Sequence, residues 1–109
     1  MKRVIFLEEI ADDLLDAKEF YDRIEQGVGD YCVDSLISDA EHLGLFCGIH
    51  SKQYGLHRAL GSRFPFGIYY TEEDECVRII AILDLRKEPL WIRSELSYRG
   101  GQQNDPPIG

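Results

Sequence analysis

The stretch Phe64-Pro65-Phe66-Gly67-Ile68-Tyr69-Tyr70 decides the fold of this chain. Phe64, Phe66, Ile68 and Tyr70 share one side, and Pro65, Gly67, Tyr69 and Thr71 the other. That period of two is the signature of a half-buried strand. The acidic run Glu72-Glu73-Asp74-Glu75 breaks it. A second strand, Cys76 to about Leu83, follows at hairpin distance. In it Val77, Ile79, Ala81 and Leu83 form an apolar side, and Arg78, Ile80, Ile82 and Asp84 the other. Because Ile80 and Ile82 interrupt that second side, it calls for cover, from Pro89-Leu90-Trp91-Ile92 or from a partner.

Upstream, Arg3 to Leu7 reads as a first strand. A helix over about Glu8 to Glu25 follows from Ile10, Leu14, Ala17, Tyr21 and Ile24. Asp12, Asp13, Asp16, Glu19 and Asp22 line its other side and read as a solvated face. Gln26-Gly27-Val28-Gly29 makes the turn into a second helix, about Val28 to Leu43, with the stripe Val28, Cys32, Leu36, Ala40 and Leu43. Gly44 is its stop. Leu56 to Leu60 is a strand in which Arg58 shares a side with Leu56 and Leu60, so either a bulge re-aims it or the strand is short. Ser97 to Gly109 reads as a flexible tail. The order strand, helix, helix, strand, strand, strand gives an α+β domain over residues 1–96. Its αα-hairpin lies on one face of a mainly antiparallel four-stranded sheet.

At 109 residues one domain is expected, with no membrane span and, by default, a cytoplasmic location. Cys32, Cys47 and Cys76 are odd in number and lack metal-ligand spacing; Cys32 and Cys76 read as small buried residues. His42, His50 and His57 sit on different elements and imply no metal. The turn glycines follow no strand and imply no phosphate cofactor. No cofactor of any kind is implied. The net charge of −8 is uneven: residues 1–46 hold twelve acids against four basic residues, while residues 47–109 hold eight of each. A local basic patch on the second half is therefore compatible with an acidic chain.

Several motifs resemble the ParE/RelE superfamily of type II toxin–antitoxin toxins, often described as plasmid-stabilisation proteins. They are the helical hairpin with Gly27-Val28-Gly29 at its corner, His57-Arg58-Ala59-Leu60, and Arg63 to Tyr70. Ala81-Ile82-Leu83-Asp84-Leu85-Arg86-Lys87-Glu88-Pro89, with Trp91 nearby, completes the set, and the likeness spans roughly residues 3 to 96. The resemblance implies a small toxin neutralised by a cognate antitoxin. ParE-like members act on DNA gyrase without a hydrolytic centre; RelE-like members cut ribosome-bound mRNA.

RNA cleavage needs a base, an acid and cations for the charge on phosphorus. Arg58, Arg63, Arg86 and Lys87 are the candidate cations and His57 the candidate acid or base. The candidate partner-binding surface is Tyr69, Arg78, Ile80, Ile82 and Trp91. Three departures separate this chain from the RelE-like pattern: Asp84 stands where the family has His, His57-Arg58 stands for Arg-Arg, and the balance is acidic. They favour a ParE-like, protein-binding toxin over an mRNA endoribonuclease. A degenerate member that only binds a partner is a third reading.

Overall fold

The computed structural model describes residues 1–103. Among them the chain forms β1 (Arg3–Phe6), α1 (Glu9–Ile24), α2 (Val28–Phe46), β2 (Lys52–Gln53), β3 (Leu56–Leu60), β4 (Phe66–Glu72), β5 (Cys76–Asp84) and α3 (Pro89–Gln103). The sheet order is β1-β5-β4-β3-β2. β1 runs parallel to β5, and every other neighbouring pair is antiparallel. The α+β architecture expected from the periodicities is therefore present, with five strands instead of four. The extra strand, β2, has only two residues, too few to show a period. It pairs with β3 through the tight turn Tyr54-Gly55, both with positive φ, the backbone of a type I′ hairpin.

The helical hairpin covers one face of the sheet. Cys32, Leu36, Ala40 and Leu43 of α2 are buried with Ile10, Ala17 and Tyr21 of α1. Beneath them lie Phe66, Ile68 and Tyr70 of β4, on the side the alternation predicts. The corner between the helices is tight. Asp22 of α1 accepts the amides of Gly27 (3.1 Å) and Gly29 (2.8 Å), satisfying donors at the start of α2. A Cβ on Gly29 would collide with the Lys18 carbonyl and the Asp22 carboxylate. Gly29→Ala is therefore expected to lose about 1–3 kcal/mol of stability by forcing the helices apart. Urea unfolding measures it, and an unchanged midpoint would mean that the corner relaxes freely.

β5 departs from simple alternation. Tyr69 pairs with Ala81 and Tyr70 with Ile79, so Ile80 is an extra residue in a β-bulge. The bulge reverses the phase of the strand. Val77 and Ile79 face the helical hairpin, and beyond the bulge so does Ile82. Ile80, Ala81 and Leu83 face the other way, where Ile92 and Leu96 of α3 cover them together with Tyr69 and Leu56. The single apolar side expected from Val77 to Leu83 is thus split between two cores. β3 pairs with β4 in unbroken register, placing Arg58 opposite Tyr69 with no bulge in β3. The strand is short, and Leu60 is exposed at its end.

The stretch expected to be a tail from Ser97 begins instead as the last turns of α3; residues 104–109 lie outside the described residues. Arg99, on those turns, is buried and meets Asp13, which is buried too. The row of acids expected to face solvent along α1 is broken at that residue. Arg99 binds Asp13 with both terminal nitrogens (2.7 and 2.8 Å), and Glu95 accepts from its Nε and Nη2 (3.2 and 3.0 Å). The same pair serves the backbone beside the bulge. Asp13 Oδ2 accepts the Ile82 amide (2.9 Å), and Arg99 donates to the Ile80 carbonyl (3.1 Å). β1 pairs with β5 only as far as Ile79. Past that point the two side chains supply hydrogen bonds to the strand where β1 has ended. Burial alone would lower the Arg99 pKa; the bonds to Asp13 and Glu95 outweigh it and hold the guanidinium charged.

Candidate functional site

A groove of about 330 Å³ opens between α1 and the corner where β5 runs into α3. Its floor is apolar: Ala17 is small and leaves room beside Phe66, Ile82 and Leu83. Phe20 and Trp91 stand on the walls, with Asp16, Glu19 and Arg23 from α1 facing Asp84 and Lys87. The corner is shaped by Asp84. Its Oδ1 accepts the Arg86 amide (2.9 Å), an Asx-type turn. Its carbonyl accepts the Lys87 amide (3.1 Å), and Pro89 then opens α3 with a preset φ.

Arg86 is held on several sides. It grips Asp84 through Nε (3.0 Å) and Nη2 (2.8 Å), donates to the Tyr21 hydroxyl (3.1 Å) and stacks 5.0 Å from the Phe20 ring. Burial pushes the Asp84 carboxyl up, but the Arg86 bonds outweigh it and leave its pKa below the ordinary value. Burial also raises the Tyr21 phenol, which the Arg86 charge partly offsets. Lys87 lies 5.2 Å from the Trp91 ring.

The other candidate residues are elsewhere. Arg63 stacks 5.8 Å from Tyr31, at the start of α2. Arg58 shares the α3 side of the sheet with Tyr69; burial raises that phenol and Arg58 lowers it in part. His57 pairs with Tyr70 across β3 and β4 and stacks on its ring, the centroids 5.1 Å apart. The five candidate catalytic residues thus spread over both faces of the sheet. Only Arg86 and Lys87 lie side by side: Lys87 lines the groove, and Arg86 binds the groove residues Asp84 and Phe20.

No protein-family model matches the chain, and no curated protein matches it. The fold does match a solved structure described as "Chromosomal ParDE TA system from P. aeruginosa". The TM-score is 0.68 at 17% identity, over 77% of this chain and 96% of that one. The chain has a ParE-like fold.

On this ParE-like fold the expected partner-binding residues divide. Tyr69, Ile80 and Ile82 are buried, which corrects their assignment to a free surface. α3 covers Tyr69 and Ile80, and the bulge turns Ile82 under the helical hairpin. Arg78 is half-exposed and bound to Glu73 by two hydrogen bonds (3.0 and 3.2 Å). Trp91 is 43% exposed and stays available beside the groove. The periodicity passed over Asp13 and Arg99, although each falls on an apolar stripe: Asp13 between Ile10 and Ala17 on α1, and Arg99 after Ile92 and Leu96 on α3. An opposite charge inside the stripe of each of two helices was the readable signal. No helix among the described residues is long and apolar enough to cross a membrane.

Proposed function

We propose that this chain is the toxin of a type II toxin–antitoxin system, ParE-like, acting in the cytoplasm. It binds a protein target such as DNA gyrase and is neutralised by a cognate antitoxin. The observation that carries the reading is the state of Arg86. A cation meant for a scissile phosphate is best left free. Here it is closed on Asp84 and Tyr21, with Asp84 in place of a proton donor. Arg58, Arg63 and His57 are too dispersed to share one phosphate with it. An apolar groove with aromatic walls and a rim of both charge signs suits a protein segment better.

Induction of the chain alone in a bacterial host tests this. Filamentation and DNA damage, relieved by the product of an adjacent small reading frame, are expected. Rapid loss of translation with cut messages would instead establish the mRNA-cleaving reading. Folded protein without any effect on growth would exclude both. Arg86→Ala is expected to weaken target binding about tenfold or more, as loss of an anchoring arginine does. The fold should change by no more than about 1 kcal/mol, since the pair with Asp84 lies at the surface. Growth inhibition equal to that of the parent protein would remove this corner from the contact surface.

A further inference from the structure

The connection between α2 and β2 is tied to the sheet through two histidines that the groove does not use. Tyr70, fully buried in β4, meets this connection with its hydroxyl. That hydroxyl takes the Gly48 amide at 3.0 Å and faces His50 Nδ1 at 2.6 Å. The Gly48 amide can only donate, and among the described residues the His50 nitrogen is the one partner left to take the buried phenolic proton, so that proton goes to His50. His50 is therefore a neutral imidazole with its proton on Nε2. His57 is the reverse: its Nδ1 faces the His50 carbonyl at 2.8 Å, and a carbonyl can only accept. His57 carries its proton on Nδ1 and keeps Nε2 as its basic site. The two rings respond differently to acid. The His57 Nδ1–H bond to the carbonyl does not involve its Nε2, whereas a proton on His50 Nδ1 ends its acceptance from Tyr70 and sets it against the Gly48 amide for the same oxygen.

We infer that the His50–Tyr70 bond is a proton-operated clasp, which holds the connection Cys47–Ser51 on the sheet when His50 is neutral and frees it when His50 is charged. Charged and titratable groups surround the clasp on every side. Glu72 of β4 is bound by Lys2 (2.9 Å) and by the Cys47 thiol (3.4 Å), and Lys52 of β2 pairs across from His57. Glu72 is thus already engaged by Lys2, whose bond is the main reason its carboxyl lies below the ordinary value. Burial lowers the His50 pKa, and the neighbouring His57 lowers it further. The sign follows from linkage: the unfolded chain binds the proton more readily than the folded one. The contribution of His50 to stability is complete above pH 6.5, its ordinary value, and is lost as the pH falls through its lowered one. What the clasp controls is the posture of an apolar end. Phe46 closes α2 and Ile49 lies within the connection, both largely exposed. The clasp makes their presentation to a partner depend on pH.

NMR of the whole chain tests this. At pH 8 the 15N shifts should report an unprotonated Nδ1 on His50 and a protonated Nδ1 on His57. Protection of the Gly48 amide against water exchange should fall about tenfold as His50 titrates, the worth of one buried hydrogen bond. The core amides of Leu36 and Ile79 should keep theirs. Tyr70→Phe removes only the hydroxyl. It should give the low-pH Gly48 protection already at pH 8 and raise the His50 pKa toward its ordinary value. Constant Gly48 protection from pH 8 to 5, a protonated His50 Nδ1 at pH 8, or a loss shared with Leu36 and Ile79 would each overturn the clasp.

Discussion

Arg99→Ala is expected to lower the unfolding free energy by about 3–5 kcal/mol, the cost of removing one partner from a buried ion pair. That is a large share of the roughly 5–15 kcal/mol that holds a domain of this size. Three losses add at this site. Asp13 is left in a buried position without its partner. The Ile80 carbonyl loses its donor. α3 loses the contact that anchors its last turns to the sheet. Equilibrium unfolding in urea measures the total. Hydrogen exchange at the Ile82 amide shows whether the loss is centred on the bulge.

A double substitution sharpens the test. At many buried pairs, replacing both charges by apolar residues is neutral or stabilising. Asp13→Leu combined with Arg99→Met should not be neutral here. The Ile82 amide and the Ile80 carbonyl would both be left without partners, at about 1–3 kcal/mol each. If the double variant is as stable as the parent, the pair does not serve the bulge and its backbone role is wrong.

Tyr69→Ala is expected to cost about 3–5 kcal/mol, and Trp91→Ala less than about 1 kcal/mol. From the sequence these two aromatics looked equivalent, both on a candidate partner-binding surface. In the structure Tyr69 is 1% exposed and joins Leu56, Ile80 and Leu83 beneath α3, while Trp91 is 43% exposed at the groove. The contrast matters for any binding screen. A Tyr69 variant that fails to bind has first lost its fold, whereas a Trp91 variant that fails to bind reports on the surface. Thermal unfolding of both variants beside a binding assay separates the two effects. Equal stabilities would mean that α3 does not cover Tyr69 in solution.

Much of the fold was legible because it rests on local periodicity. The stripes of α1 and α2 and the alternation of β4 each repeat often enough to outweigh single exceptions. The readings that failed share a cause: one residue out of phase. Ile80 shifts β5 by one position, and no composition or spacing within that strand marks it. Asp13 fits the acidic row beside it as well as the apolar stripe that it interrupts. The choice between the two depends on Arg99, eighty-six positions away. Gly100-Gly101 and the polar residues after them suggested a tail, yet Ile92, Leu96 and Arg99 lie at helical spacing and bury that face of α3. The candidate site was legible only at Arg86, Lys87 and Trp91, which stay on the surface at one corner.

The sequence by itself determined the helical hairpin, the strand hairpin from Phe66 to Asp84 and the resemblance to ParE-like toxins. Each of these follows from residues close together in the chain. The tertiary structure alone decided which face of β5 each residue takes, that Asp13 and Arg99 meet, that Arg86 closes on Asp84 and Tyr21, and that His50 and His57 carry opposite tautomers. Those outcomes depend on contacts between distant segments. A charge or a ring nitrogen has no fixed role until the group facing it is known.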